Sequence, residues 1–184
     1  MKKNLSSKQS AFTIIEMLVS ISVLAIMTVF AVSNFRAGEK KIQLNMAANV
    51  LISDIRKVQN MVLNGAEWDG QTMPSFGYGM NFLEDSYIIF ADNNGNKKYD
   101  LGELIKTVQL FNVSIAVDQY SNNDLTDMVF SPPKARACLN NNTCSPCDCN
   151  IKNEGIFNLI LTHNRTNEQI SISINQISGR VGIE

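Results

Sequence analysis

The feature that most constrains this chain is an uncharged, mostly apolar run near its N-terminus, from Met17 to Phe35. It is about 19 residues long, close to the roughly 20 that a helix needs to cross the hydrocarbon of a bilayer. A helix that is apolar all round belongs in lipid or in the core of an assembly, not on a protein surface. Carried back to Phe12, the run includes one acid, Glu16. The remainder reads as a soluble domain. The chain as a whole is 45% hydrophobic and 18% charged, with a formal net charge of -1. That balance gives no general attraction to nucleic acid or acidic lipid.

Before the run stands a short polar segment carrying Lys2, Lys3 and Lys8. Basic residues on this side favour keeping it in the cytoplasm. Arg36, Lys40 and Lys41 follow the run, so charge alone leaves the orientation open. A conventional secretory signal would be cut near Ala31-Val32-Ser33, but its apolar region would span only about 7–15 residues. A plain membrane anchor leaves Glu16 unexplained. A carboxylate inside the membrane costs roughly 2.5–3.5 kcal/mol near the helix centre, and less near the end.

Residues Ala11-Phe12-Thr13-Ile14-Ile15-Glu16 resemble the prepilin processing motif of type IV pilins and type II secretion pseudopilins. In that family a small residue, usually glycine, precedes the cut. Phenylalanine then becomes the mature N-terminus, with glutamate at the fifth mature position. Here Ala11 stands in place of the glycine. The resemblance implies that a prepilin peptidase cuts between Ala11 and Phe12 and methylates the new amine of Phe12. It also implies that Glu16 faces the terminal amine of a neighbouring subunit. Such a pair offsets the cost of a buried carboxylate and sets axial register. The implied partners are the peptidase, other pilin or pseudopilin subunits and an inner-membrane assembly platform. The implied location is the bacterial inner membrane, single-pass, with an extracytoplasmic head assembled into a filament.

From Glu39 to Asn64 there is no glycine and no proline, and Leu44, Ala48, Leu51, Ile55, Val58 and Val62 recur at spacings of three and four. This is the stripe of an amphipathic helix that a sheet would cover. Gly65 marks its stop. After it come short runs rich in Val, Ile, Phe and Tyr: Phe76–Phe82, Ser86–Ala91, Leu104–Leu110, Val113–Asp118, Met128–Phe130, Ile156–His163, Gln169–Ile174 and Arg180–Ile183. With no long helices between them, they predict an antiparallel sheet. The expected fold is α+β and pilin-like: a leader at 1–11, a transmembrane helix at 12–36, its amphipathic continuation at 37–65 and a β-rich head at 66–184.

Within the head, Asp92, Asn94, Asn96, Asp100 and Glu103 fall at the oxygen-ligand positions of an EF-hand-like loop and could wrap Ca²⁺. Lys97, however, occupies the place of the turning glycine. The favoured reading is a polar hairpin turning tightly at Asn94-Gly95, with no cofactor. This loop, together with Ser178-Gly179-Arg180-Val181, is similar to the GspH/FimT-type minor pseudopilins. Some relatives of that type bind DNA through basic C-terminal residues. Here Arg165 and Arg180 are few for a phosphate contact surface, and DNA uptake or adhesion at the filament tip is the alternative function.

Cys138, Cys144, Cys147 and Cys149 lie in one polar segment. Behind a membrane-targeting run they point to two disulfides in an oxidising space, with zinc as the alternative. Cys138–Cys149 with Cys144–Cys147 is one of the possible pairings. His163 is the lone histidine, with no nucleophile or second base in motif context. No catalysis is expected.

Overall fold

The computed structural model describes residues 13–70, 72–117, 127–139 and 156–183. One helix, α1 (Ile14–Leu63), is followed by nine strands: β1 (Tyr78–Phe82), β2 (Ser86–Ala91), β3 (Leu104–Gln109), β4 (Val113–Val117), β5 (Asp127–Ser131), β6 (Arg136–Leu139), β7 (Ile156–His163), β8 (Gln169–Asn175) and β9 (Val181–Ile183). The chain divides into two compact units, Met1–Glu39 and Lys40–Glu184.

In the first unit the helical backbone runs on through Gly38 without a break. In the second unit α1 turns its stripe into the core. Leu44, Ala48, Leu51, Ile55, Val58 and Val62 are each at most 3% exposed, while Ser53, Arg56 and Lys57 face outward. The helix ends as its sequence dictates. Gly65 takes φ +60°, and the Gly65 and Ala66 N–H groups donate to the carbonyls of Val62 and Met61. This is a Schellman-type stop, in which a residue without a Cβ reverses the chain.

The strands form two antiparallel sheets rather than the single sheet the pattern suggests. One has the order β3-β2-β1-β5-β6 and the other β4-β7-β8-β9. The split follows from a non-local pairing: β5 returns to lie against β1, leaving β4 to pair with β7. Strand β6 was not among the expected runs. Its sequence, Arg-Ala-Cys-Leu, is short and poor in β-branched residues, so nothing local marks it.

A polar lock joins α1 to the first sheet. Asp54 of α1 accepts the Tyr87 hydroxyl at 2.8 Å and pairs with Lys106 at 3.3 Å. Burial, then the hydrogen bond and charge of Asp54, hold the Tyr87 phenol above its ordinary range. Near the end of the helix the Tyr78 hydroxyl donates to the Ala66 carbonyl at 2.6 Å. Strand β1 is buried on both of its faces. On the face away from α1 the Phe90 ring crosses Gly79, where any Cβ would meet it at 2.3 Å. Tyr99, from the β2–β3 loop, lies against Phe90 with ring centroids 5.8 Å apart.

Candidate functional site

Helix α1 opens at Thr13. The Thr13 hydroxyl accepts the Glu16 N–H at 3.3 Å, and its carbonyl accepts the N–H groups of Glu16 and Met17 at 3.1 and 3.2 Å. Thr13 and Glu16 therefore hold the two ends of a Thr-x-x-Glu capping spacing. The sequence reading overlooked this signal, which gives the acid a local reason to stand at this point. The positive end of the helix dipole also favours a carboxylate there.

From Thr13 to Ala31 every residue is exposed, including large apolar side chains such as Ile14 at 82% and Phe30 at 70%. The hydroxyls on this stretch are satisfied within the helix. Ser20, Ser22 and Thr28 donate to the carbonyls of Glu16, Leu18 and Leu24 at 2.7–2.8 Å. Back-bonding of this kind removes the polar cost of carrying such residues in lipid or in an apolar core. What remains is an apolar surface, Ile14–Ala31, of mean hydropathy 2.4, with a single carboxylate at its start. By length and composition it can cross a membrane. Among the described residues Glu16 forms no ion pair. Ala11 and Phe12 lie outside them.

Residues 6–32 match the family model for the prokaryotic N-terminal methylation motif. The matched segment indicates the type IV pilin and pseudopilin family. The motif is that of pilins processed by prepilin peptidase and assembled with other pilins. An apolar N-terminal helix behind such a motif is what a membrane-anchored pilin carries. The matched segment does not reach the head. No curated protein sequence and no solved structure matches the chain.

In the head, the five oxygen-bearing residues singled out above are brought into one loop, and their oxygens receive N–H groups of that same loop. Buried Asp92 accepts the Gly95 N–H at 2.7 Å and the Lys97 N–H at 3.2 Å. Glu103 accepts the N–H groups of Asn93 and Asp100 at 3.0 and 3.2 Å. Asp100 accepts the side-chain amides of Asn94 and Asn96 at 2.7 and 2.6 Å. Burial pushes the Asp92 carboxyl up, and the two backbone donors pull it back. The expected tight turn at Asn94-Gly95 is not formed. Strands β2 and β3 do make a hairpin, but residues 92–103 connect them. The side chains of Asp92 and Glu103 tie that loop down, and Lys97 takes φ +62° at the place where an EF-hand-like loop carries glycine. Among the described residues no group of three or more His, Cys, Asp or Glu is arranged to hold a metal. A cation entering here would have to displace the bonds just named.

The other candidates are placed as follows. Cys138 is buried in β6 and is disulfide-bonded, whereas Cys144, Cys147 and Cys149 lie outside the described residues. Arg165 precedes β8 and Arg180 follows it, so they sit at opposite ends of a strand roughly 20 Å long. They are not brought together. His163 closes β7 at 1% exposure. Its Nδ1 accepts the Arg165 N–H at 3.3 Å, and its Nε2 has no partner among the described residues.

Proposed function

We propose that this chain is a minor pilin or pseudopilin, a structural subunit of a type IV pilus or type II secretion filament. The observation that carries the reading is one carboxylate at the head of a helix whose residues are exposed from Thr13 to Ala31. An apolar surface of that extent needs lipid before assembly and other helices after it.

In this reading a prepilin peptidase cuts between Ala11 and Phe12 and methylates the freed amine. The cut removes Lys2, Lys3 and Lys8 and creates a positive charge four residues before Glu16. When subunits pack, the Phe12 amine of one meets the Glu16 carboxylate of the next. A lone carboxylate is costly in an apolar core, so only the register that pairs it is favourable. The minor role rests on the likeness of the head loop and of Ser178–Val181 to minor pseudopilins.

Glu16→Ala tests the reading. The full chain should still be processed and held in the membrane, but its share of the sheared filament fraction should fall at least about tenfold. That loss corresponds to ~1.4 kcal/mol or more per junction. Unchanged incorporation would remove Glu16 from the mechanism.

A further inference from the structure

The chain carries two Asn-Gly pairs, Asn64-Gly65 at the end of α1 and Asn94-Gly95 in the β2–β3 loop. Such a pair is chemically unstable in water. Once the glycine nitrogen gives its proton to hydroxide, it can attack the asparagine Cγ, because no side chain on the glycine shields it. The N–Cγ bond forms, the Cγ–Nδ2 bond breaks, and ammonia leaves with a proton taken from solvent. The succinimide ring so formed adds water at either carbonyl and opens to an aspartyl or an isoaspartyl residue. One water is consumed and one ammonia released, so water is the only co-reactant.

The fold treats the two pairs differently. The Gly95 N–H is donated to the buried Asp92 carboxylate at 2.7 Å. A nitrogen anion beside a carboxylate is disfavoured by like charge. The Asn94 side chain is tied at both ends. Its Oδ1 accepts the Asn96 N–H at 2.9 Å, and its Nδ2 donates to Asp100 at 2.7 Å. Ring closure needs that side chain to rotate, which breaks both bonds. The Phe76 ring also lies against Gly95, where a Cβ would meet it at 2.7 Å. Asn64 has none of these restraints. It is exposed, as is Gly65. Among the described residues no hydrogen bond fixes its side-chain amide. The Gly65 N–H reaches the neutral Val62 carbonyl at 3.3 Å. A Cβ on Gly65 would meet nothing nearer than the Met73 sulfur at 4.0 Å.

We infer that Asn64 is the deamidation site of this chain and that the fold withholds Asn94 from the same reaction. The position gives the change a structural effect. A new carboxylate at Asn64 stands at the carbonyl end of α1, where the helix dipole disfavours negative charge. The isoaspartyl product also adds a methylene to the backbone just before Gly65. On that backbone depend the helix stop at Gly65 and Ala66 and the 2.6 Å bond from the Tyr78 hydroxyl to the Ala66 carbonyl. Deamidation at Asn64 therefore loosens the junction between α1 and β1.

The full chain, folded in detergent and incubated in mildly alkaline buffer, is sampled over time by peptide mass spectrometry that separates aspartyl from isoaspartyl products. Asn64 should convert at least about tenfold faster than Asn94, the difference made by ~1.4 kcal/mol of barrier. In denaturant the two rates should converge. Asp100→Ala, at an exposed position, should speed conversion of Asn94 in the folded chain several-fold and leave Asn64 unchanged. Should that variant not fold, the wild-type rates, folded against denatured, decide alone. Equal rates in the folded chain, faster conversion at Asn94, or a gap of the same size in denaturant would overturn the inference. The isoaspartyl fraction should unfold at a lower temperature than the intact chain, and an unchanged midpoint would overturn the structural effect assigned to Asn64.

Discussion

At the residue scale, the head depends on a few side chains whose partners leave no freedom. Gly79 is the sharpest case, because the Phe90 ring occupies the space a Cβ would need and is itself fully buried. Gly79→Val should cost about 1–3 kcal/mol, the range for overpacking a filled core. A lowered denaturant midpoint with unchanged slope would show it. Asp127 gives a pH signature. Burial raises its carboxyl above the ordinary aspartate value of 3.8, and the bonds from the Asn81 amide and the Tyr99 N–H oppose that rise. The folded state thus holds this proton more tightly than the unfolded state does. Protein in which Asp127 is protonated gains stability from it, and that gain is lost as pH rises from the ordinary aspartate value through the raised one. Asp92 is shifted in the same direction. Thermal midpoints should therefore fall in part through Asp127 as pH rises above the ordinary aspartate value. Asp127→Asn should flatten the curve, and an unchanged curve would contradict the assignment.

At the element scale, α1 was legible almost to the residue. Its apolar run, its three-and-four stripe and Gly65 are all local signals, and the helix spans Ile14–Leu63. Leu51, fully buried on that stripe, should cost about 2–5 kcal/mol as Leu51→Ala. Gly65→Ala should cost about 1 kcal/mol through its left-handed backbone. Both are read from equilibrium unfolding of the full chain in detergent. The strands were mostly legible by composition, but their grouping was not. Whether β4 joins β3 or β7 is decided by residues far apart in sequence, and period-two alternation carries no information about it. The β2–β3 loop was misread for a related reason. Asn94-Gly95 carries the local signature of a tight turn, yet Asp92 and Glu103 close the loop across its base, and Tyr99 is drawn onto Phe90. That tertiary contact outweighs the turn preference of two residues. Edge strand β3 is interrupted near Ile105, where its register against β2 slips between Ile89 and Phe90. Irregularities of this kind discourage open-ended sheet pairing.

At the scale of the whole molecule, the pilin motif was readable because its parts are contiguous. Residues 6–32, the span that matches the methylation motif, take in the end of the expected leader, Glu16 and most of the apolar run. The sequence missed only the capping role of Thr13. The head was harder because its surfaces are assembled from strands distant in sequence, whose grouping no local signal announces. The central claim is that proteolysis makes the charge that Glu16 answers. Mass spectrometry of the mature N-terminus, on protein recovered from the native membrane, tests this most directly. A chain beginning at N-methylated Phe12 is the predicted result. A chain that keeps Lys2, Lys3 and Lys8, or one that begins near Asn34, would contradict it.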